Sequence, residues 1–141
     1  MLSKKLAKTF FLGGTVVFVL IFGYLSFDTL SNGIPKQTNI ADMSDSAKNG
    51  RLIWDQKNCM GCHTLMGEGA YYAPELTRVY DRRGPEFIKT VFNFEGGWRP
   101  HGRRMQQYDF TEDEKKDLVA FFEWVNNFDL NGFPPEPPLK Q

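Results

Sequence analysis

The sequence predicts an all-α protein, with a single N-terminal transmembrane helix followed by a small helical domain. Three observations carry that prediction. Residues 9–27 form a run of 19 residues without a charge. Beyond it, apolar residues recur at helical rather than strand spacing, with capping residues where helices should begin. The chain has 141 residues, about the length of one ordinary domain. Hydrophobic residues make up 41% of it and Phe occurs 13 times, enough material for a core. Lys and Arg number 17, as do Asp and Glu, so the formal net charge is zero. That balance excludes a nucleic-acid binder working through a broad basic surface. The zero is a sum of opposites. Lys4, Lys5 and Lys8 precede the apolar run, and all 17 acids lie at or beyond Asp28, where only 14 bases face them, a net of −3.

As a helix rising about 1.5 Å per residue, residues 9–27 span roughly 28 Å, matching a hydrocarbon core of about 30 Å. A cleaved signal peptide also has a basic start, but its apolar part is about 7–15 residues and ends in a small-residue cleavage site. Here the run is longer, and Tyr24, Leu25, Ser26 and Phe27 offer no A-x-A pattern, which favours a retained anchor. Lys-rich flanks stay in the cytoplasm. The expected division is therefore a cytoplasmic N-terminus (1–8), a transmembrane helix (9–27), a tether (28–44), an exported domain (45–130) and a Pro-rich tail (131–141). Gly13, Gly14 and Thr15 would permit close helix contact in the bilayer, although no G-x-x-x-G is present.

The tether is read from weak apolar periodicity and from Asn32, Gly33 and Pro35. A first helix is predicted from Ser44 or Ser46 to residue 56, because either serine is a good N-cap and Ala47, Gly50, Ile53 and Trp54 share a face. A Gly- and Tyr-rich stretch covers residues 67–72. A middle helix is expected over residues 74–80. Another should start near Pro85, since proline suits a first turn and Phe87, Ile88, Val91 and Phe92 share a face. Residues 95–110 read as a loop. Thr111-Glu112-Asp113-Glu114 is a capping box, with acids favoured by the helix dipole. It opens the clearest helix, to about Asn127, with Leu118, Phe121, Phe122, Val125 and Phe128 on its apolar side and Trp124 beside them. No strand alternation and no internal repeat is apparent.

Cys59-Met60-Gly61-Cys62-His63 is C-x-x-C-H, the attachment pattern for c-type haem. Two thiols about one helical turn apart can each add to one of the two vinyl groups on a porphyrin edge. The histidine that follows is then held beneath the ring, with Nε2 facing the iron. Three rival readings are weaker. A zinc site needs four ligands, and no second cysteine pair exists. A thioredoxin-like pair expects a βαβ context. A structural disulfide would leave His63 an accident. For the sixth iron ligand the candidates are Met43, Met60, Met66, Met105 and His101. Met60 and Met66 lie too near His63 to reach the opposite face, and Met43 would need an unusual path. Met105, 42 residues after His63, is favoured. His101 is its rival and would lower the potential, whereas Met/His ligation raises it and suits passing electrons onward. Trp98, Arg99, Arg103 and Arg104 either meet the haem propionates or form a solvated loop face. The acids of residues 112–117 are either the polar start of a helix or part of a docking surface for a basic donor.

Gly50, Trp54, the haem segment, Pro74, Met105 and the aromatic final helix together resemble the class I cytochrome c fold. The resemblance implies that the first and last helices cross, with Gly50 allowing close approach near Phe121, Phe122 and Trp124. It also implies that the Pro74 carbonyl accepts the Nδ1–H of His63. Residues 59–76, C-M-G-C-H-T-L-M-G-E-G-A-Y-Y-A-P-E-L, are similar to the cytochrome c subunit of bacterial nitric oxide reductase. E-F-I-K-T (86–90), G-R-R-M (102–105) and a Pro-Pro tail extend the similarity to essentially the whole chain. One departure is Gln106, where c-type cytochromes often have proline after the axial methionine.

This resemblance implies an electron-input subunit, not an enzyme on its own, in the bacterial cytoplasmic membrane with its haem domain in the periplasm. Its donor would be a soluble cytochrome c or a small copper protein. Its partner would be a polytopic catalytic subunit with b-type haems and a non-haem iron, where two NO become N2O and water. It further implies a calcium ion at the subunit boundary, with the carbonyls of Gly69 and Tyr71 as ligands. The alternatives are an electron-input chain of a haem–copper oxidase, a free-standing anchored shuttle, or a five-coordinate haem c protein that binds a gas.

Overall fold

The computed structural model describes residues 3–100 and 102–132. The protein is helical, as expected, and divides into two units, Met1–Ile40 and Ala41–Gln141. Residues 41–44, assigned to the tether from sequence, belong to the second unit, where Met43 is buried.

The first unit is one long helical rod. Helix α1 (Lys4–Asp28) is capped by Ser3, whose hydroxyl accepts from the Leu6 N–H. It is the one helix among the described residues long and apolar enough to cross a membrane. Where the tether was expected, the helix does not stop at Asp28. A π-helical turn (Thr29–Gly33) continues it into α2 (Ile34–Thr38). The turn ends in an Ile34 N–H to Thr29 O bond, five residues back, and Pro35 follows in the first turn of α2, where its missing N–H costs little. Asn32 donates to the Asp28 carboxylate at 2.8 Å and Thr38 to the Ile34 carbonyl at 2.7 Å, supporting the rod from its side chains. It ends at Asn39, which adopts the left-handed conformation.

In the second unit, α3 (Asp45–Gln56) begins at Ser44, whose hydroxyl accepts from Ala47 N–H at 3.1 Å. Its buried face is Ala47, Gly50 and Trp54, one stripe at helical spacing. Helix α5 (Glu112–Asn126) starts with the predicted capping box complete in both directions. It buries Leu118, Phe121, Phe122 and Val125 at the i, i+3, i+4, i+7 positions. The two helices cross at Gly50, where an added Cβ would lie 2.0 Å from the Asp117 carbonyl oxygen. Ser46 Oγ donates to Asp117 Oδ1 at 2.5 Å beside the crossing. Trp54 wedges against Phe121 and Phe122, with ring centroids 6.1 and 5.6 Å away. Burying each such side chain contributes roughly 1.5–3 kcal/mol.

Helix α4 (Val79–Phe92) packs on α5 and is broken at Gly84 (φ 77°, ψ 162°). Its second half starts at Pro85, as predicted, and buries Ile88. The middle helix expected over residues 74–80 does not form before Val79. That segment is instead held extended against a short hairpin that sequence periodicity did not reveal. Strands β1 (Thr64–Leu65) and β2 (Glu68–Gly69) pair antiparallel, and Thr64 also bridges Glu75 in parallel. Met66 (φ 51°) and Gly67 (φ 83°) both take left-handed backbone, the pattern of a two-residue type I′ turn. The tail expected over residues 131–141 lies outside the described residues from 133 onward.

Candidate functional site

The end of α3 delivers the cysteines. Lys57 is the C-cap, Asn58 turns left-handed (φ 50°), and a 3-10 turn covers Cys59–Gly61. Residues three apart eclipse in such a turn, so Cys59 and Cys62 fall on one side. Cys62 N–H and His63 N–H both donate to the Cys59 carbonyl, at 3.1 and 2.9 Å. Both thiols are unpaired, Cys59 half-buried and Cys62 exposed. Burial pushes the Cys59 thiol up to about 11, with the nearby Cys62 and Asp55 charges adding to it. The Asn58 side chain lies over Gly61, where an added Cβ would be 2.9 Å from Nδ2.

His63 Nδ1 lies 2.8 Å from the Pro74 carbonyl oxygen. That contact makes Nδ1 the donor and leaves the Nε2 lone pair for a metal. Burial holds the His63 pKa below its ordinary value, partly opposed by the Pro74 bond, which favours the neutral form that ligation requires. Trp54 stands beside it, 6.3 Å between centroids, linking it to the α3–α5 crossing. Two unpaired thiols on one side of a turn and an imidazole fixed through Nδ1 are the donor set that covalent haem c needs, so the residues fit that group.

The hairpin and the following segment fold back around this turn. Ala70 N–H donates to Met60 O at 2.9 Å and Ala73 N–H to Cys62 O at 2.8 Å. Gly69 has φ 123°, and a Cβ there would meet the His63 carbonyl oxygen at 2.2 Å. Its glycine is therefore required by close approach as well as by conformation. Tyr71 is 79% exposed and its hydroxyl donates to Gly67 O at 3.2 Å.

Among the predicted propionate partners, Arg103 is turned to this segment. Its guanidinium donates to the Tyr72 carbonyl at 2.6 Å and the Tyr71 carbonyl at 3.5 Å, over the Tyr72 ring. Arg99 and Arg104 are exposed. Trp98 sits between Phe87 and Phe94 at 5.8 and 4.5 Å. Met105 is half-buried, its N–H donating to Trp98 O at 2.8 Å. Gly97 (φ 84°) permits this fold-back, since a Cβ there would lie 2.0 Å from Met105 O. His101 lies outside the described residues.

Sequence reasoning missed several residues of this site. Tyr108 stacks on Phe110 at 5.0 Å, and Phe110 meets Phe92 edge-on at 5.1 Å. Burial raises the Tyr108 phenol above its ordinary value, and the Cys59 and Cys62 charges add to the shift. Nothing in its spacing signals that. Lys115 is buried in the first turn of α5, its ammonium 2.6 Å from Asn93 Oδ1 and 2.7 Å from Glu112 Oε1. It ties the two ends of the Met105 loop together.

The helix crossing, the cysteine turn and the fixed histidine are those of a cytochrome c domain, and the cytochrome c family profile matches residues 47–126. The similarity to known proteins runs further than that domain. The chain is 36% identical over 140 residues to the C subunit of nitric oxide reductase from Stutzerimonas stutzeri, covering 94% of each. It is 35% identical over 147 residues to the counterpart from Halomonas halodenitrificans, with 96% of each covered, and 34% identical over 142 residues to that from Paracoccus denitrificans, with 95% of each covered. The chain belongs to the family of nitric oxide reductase C subunits.

Proposed function

We propose that this chain is a membrane-anchored monohaem cytochrome c that feeds electrons to the catalytic subunit of a nitric oxide reductase. The observation that supports it best is the pairing of His63 Nδ1 with the Pro74 carbonyl beside two unpaired thiols on one turn. Cys59 and Cys62 would hold the haem covalently, and His63 and Met105 would be its axial ligands. The group, when bound, supplies a one-electron couple. The protein would hold Nε2 of His63 through the Pro74 carbonyl, Met105 would supply the second protein ligand, and Tyr108 and the Trp98 loop would help enclose the group. With both protein ligands in place the haem would serve as an electron carrier, and the NO chemistry would fall to the partner. Trp98, Arg103 and Arg104 are the candidates for the propionate side. A calcium ion at Gly69 and Tyr71 would need most of its six to eight oxygens from a partner, and Arg103 competes for the Tyr71 carbonyl. Lys4, Lys5 and Lys8, in the first turns of α1, argue for an N-terminus inside and the haem domain in the periplasm. There a soluble cytochrome c or small copper protein would dock and give up its electron.

The test is gentle detergent purification through the full chain. Co-isolation of a polytopic subunit with b-type haem and NO reductase activity is expected, and a lone monomer overturns the assignment. For the ligand, Met105→Ala should open the ferrous haem to carbon monoxide. An unchanged low-spin spectrum in that variant removes Met105 from the iron.

A further inference from the structure

We propose that Thr77 is a positioning residue for His63: its hydroxyl locks the segment that presents the Pro74 carbonyl, and so sets how strongly the imidazole donates to the iron. The inference rests on the haem c reading above. The His63–Pro74 contact joins two chain segments whose backbones are linked by Ala73 N–H to Cys62 O at 2.8 Å and Leu76 N–H to Thr64 O at 2.9 Å, either side of the parallel bridge from Thr64 to Glu75. A two-residue strand is a weak clamp by itself.

The side chain of Thr77 adds to these two backbone links. Its hydroxyl oxygen accepts from the Met66 N–H at 2.6 Å and donates to Glu75 Oε1. The same carboxylate oxygen accepts the Thr77 N–H at 2.9 Å. Thr77 is 2% exposed, so water cannot replace these bonds. Each link holds something that would otherwise relax. Met66 is a non-glycine residue at φ 51°, and its anchored N–H fixes the hairpin turn that follows His63 and Thr64. The Glu75 carboxylate fixes the residue next to Pro74, and Arg82 holds the Glu75 carbonyl from the other side. The Pro74 oxygen is thereby held toward Nδ1 from the Glu75 side, as Ala73 N–H to Cys62 O holds it from the other. An Nδ1–H donated to a carbonyl makes Nε2 more basic and favours the ferric state. Loosening the segment should therefore raise the reduction potential.

The experiment compares Thr77→Val, which keeps the shape and removes the hydroxyl, with Thr77→Ser, which keeps the hydroxyl. Both are made in the full chain with haem attached, and potentials are read by spectroelectrochemical titration. Thr77→Val should shift the reduction equilibrium about three- to tenfold toward the ferrous state, tenfold being about 59 mV for one electron. Thr77→Ser should stay within about twofold of the unsubstituted protein. Glu75→Ala, which leaves the Met66 bond intact, should move the potential in the same direction by less, and it decides the matter if Thr77→Val carries no haem. A haem-loaded Thr77→Val with lower thermal stability and an unmoved potential overturns the inference, as does an unmoved Glu75→Ala. Absence of covalent haem from the unsubstituted chain overturns the haem reading instead, so the two failures are distinguishable.

Discussion

Replacing Gly50 by Ala tests the helix crossing on which the haem domain is built. The new Cβ would sit 2.0 Å from the Asp117 carbonyl oxygen, 2.5 Å from its carbon and 2.8 Å from Phe121 Cβ. Two of these atoms are backbone, so no side-chain rotation relieves the overlap. Moving the oxygen from 2.0 Å to the 3.4 Å of ordinary contact requires α3 and α5 to separate by about 1.4 Å. A gap of even 0.5–1 Å forfeits about a quarter to a half of a dispersion contact. The rings of Trp54, Phe121 and Phe122 and the Ser46–Asp117 bond all span this crossing. Overpacking of this kind costs about 1–3 kcal/mol, and weakened aromatic pairs about 0.5–1.5 kcal/mol each. Alanine's better helix propensity returns about 1 kcal/mol. The net expectation is a loss of about 2–4 kcal/mol. For a domain of this size that lowers the midpoint by roughly 10 °C or more. The assay is thermal unfolding of the full chain in detergent, followed by far-UV circular dichroism. Gly33→Ala is the control, since its Cβ meets nothing nearer than Thr29 Cγ2 at 3.8 Å, and through helix propensity it should leave the midpoint unchanged or slightly raised. A Gly50→Ala protein as stable as the parent, or more stable, would refute the close crossing.

Other expectations follow from single residues. Thr111→Ala should destabilise the start of α5 by about 1 kcal/mol through loss of the capping box. The Glu114 carboxyl is held below its ordinary 4.5 first by the Thr111 N–H and then by its hydroxyl. Its contribution is therefore present above about pH 4.5 and lost as pH falls through the depressed value. The acid limb of the thermal midpoint should flatten only in part in Thr111→Ala, because alanine keeps the N–H that bonds the Glu114 carboxylate. Lys115→Met should let the Glu112 carboxyl rise toward its ordinary range, because the Lys115 bond and charge are what lower it, and an NMR titration reads this directly. Gly69→Ala should give a chain carrying little covalent haem by pyridine haemochrome assay, since the methyl would displace the His63 carbonyl.

Much of the site was legible because its signals are local. The C-x-x-C-H spacing, the capping box at Thr111 and the Pro85 helix start each depend on residues a few positions apart, where chain geometry leaves few options. The failures share the opposite cause. Residues 28–38 look like a tether by composition, yet a π-turn absorbs Pro35 and the helix continues. Residues 74–78 look helical, yet Thr64 and Met66, more than ten positions back, claim their hydrogen bonds. Tyr108 and Lys115 carry no sequence signal, since what places them is the closure of a loop.

The sequence by itself determined the apolar helix long enough to cross a membrane, the C-x-x-C-H segment and the helical character of the domain, because hydropathy and spacing are properties of the chain alone. Only the tertiary structure decided how Pro74 reaches His63, why Gly50 and Gly69 must lack a side chain, and where Arg103 turns. Those are matters of distance between segments far apart in sequence, and such distances are settled by packing.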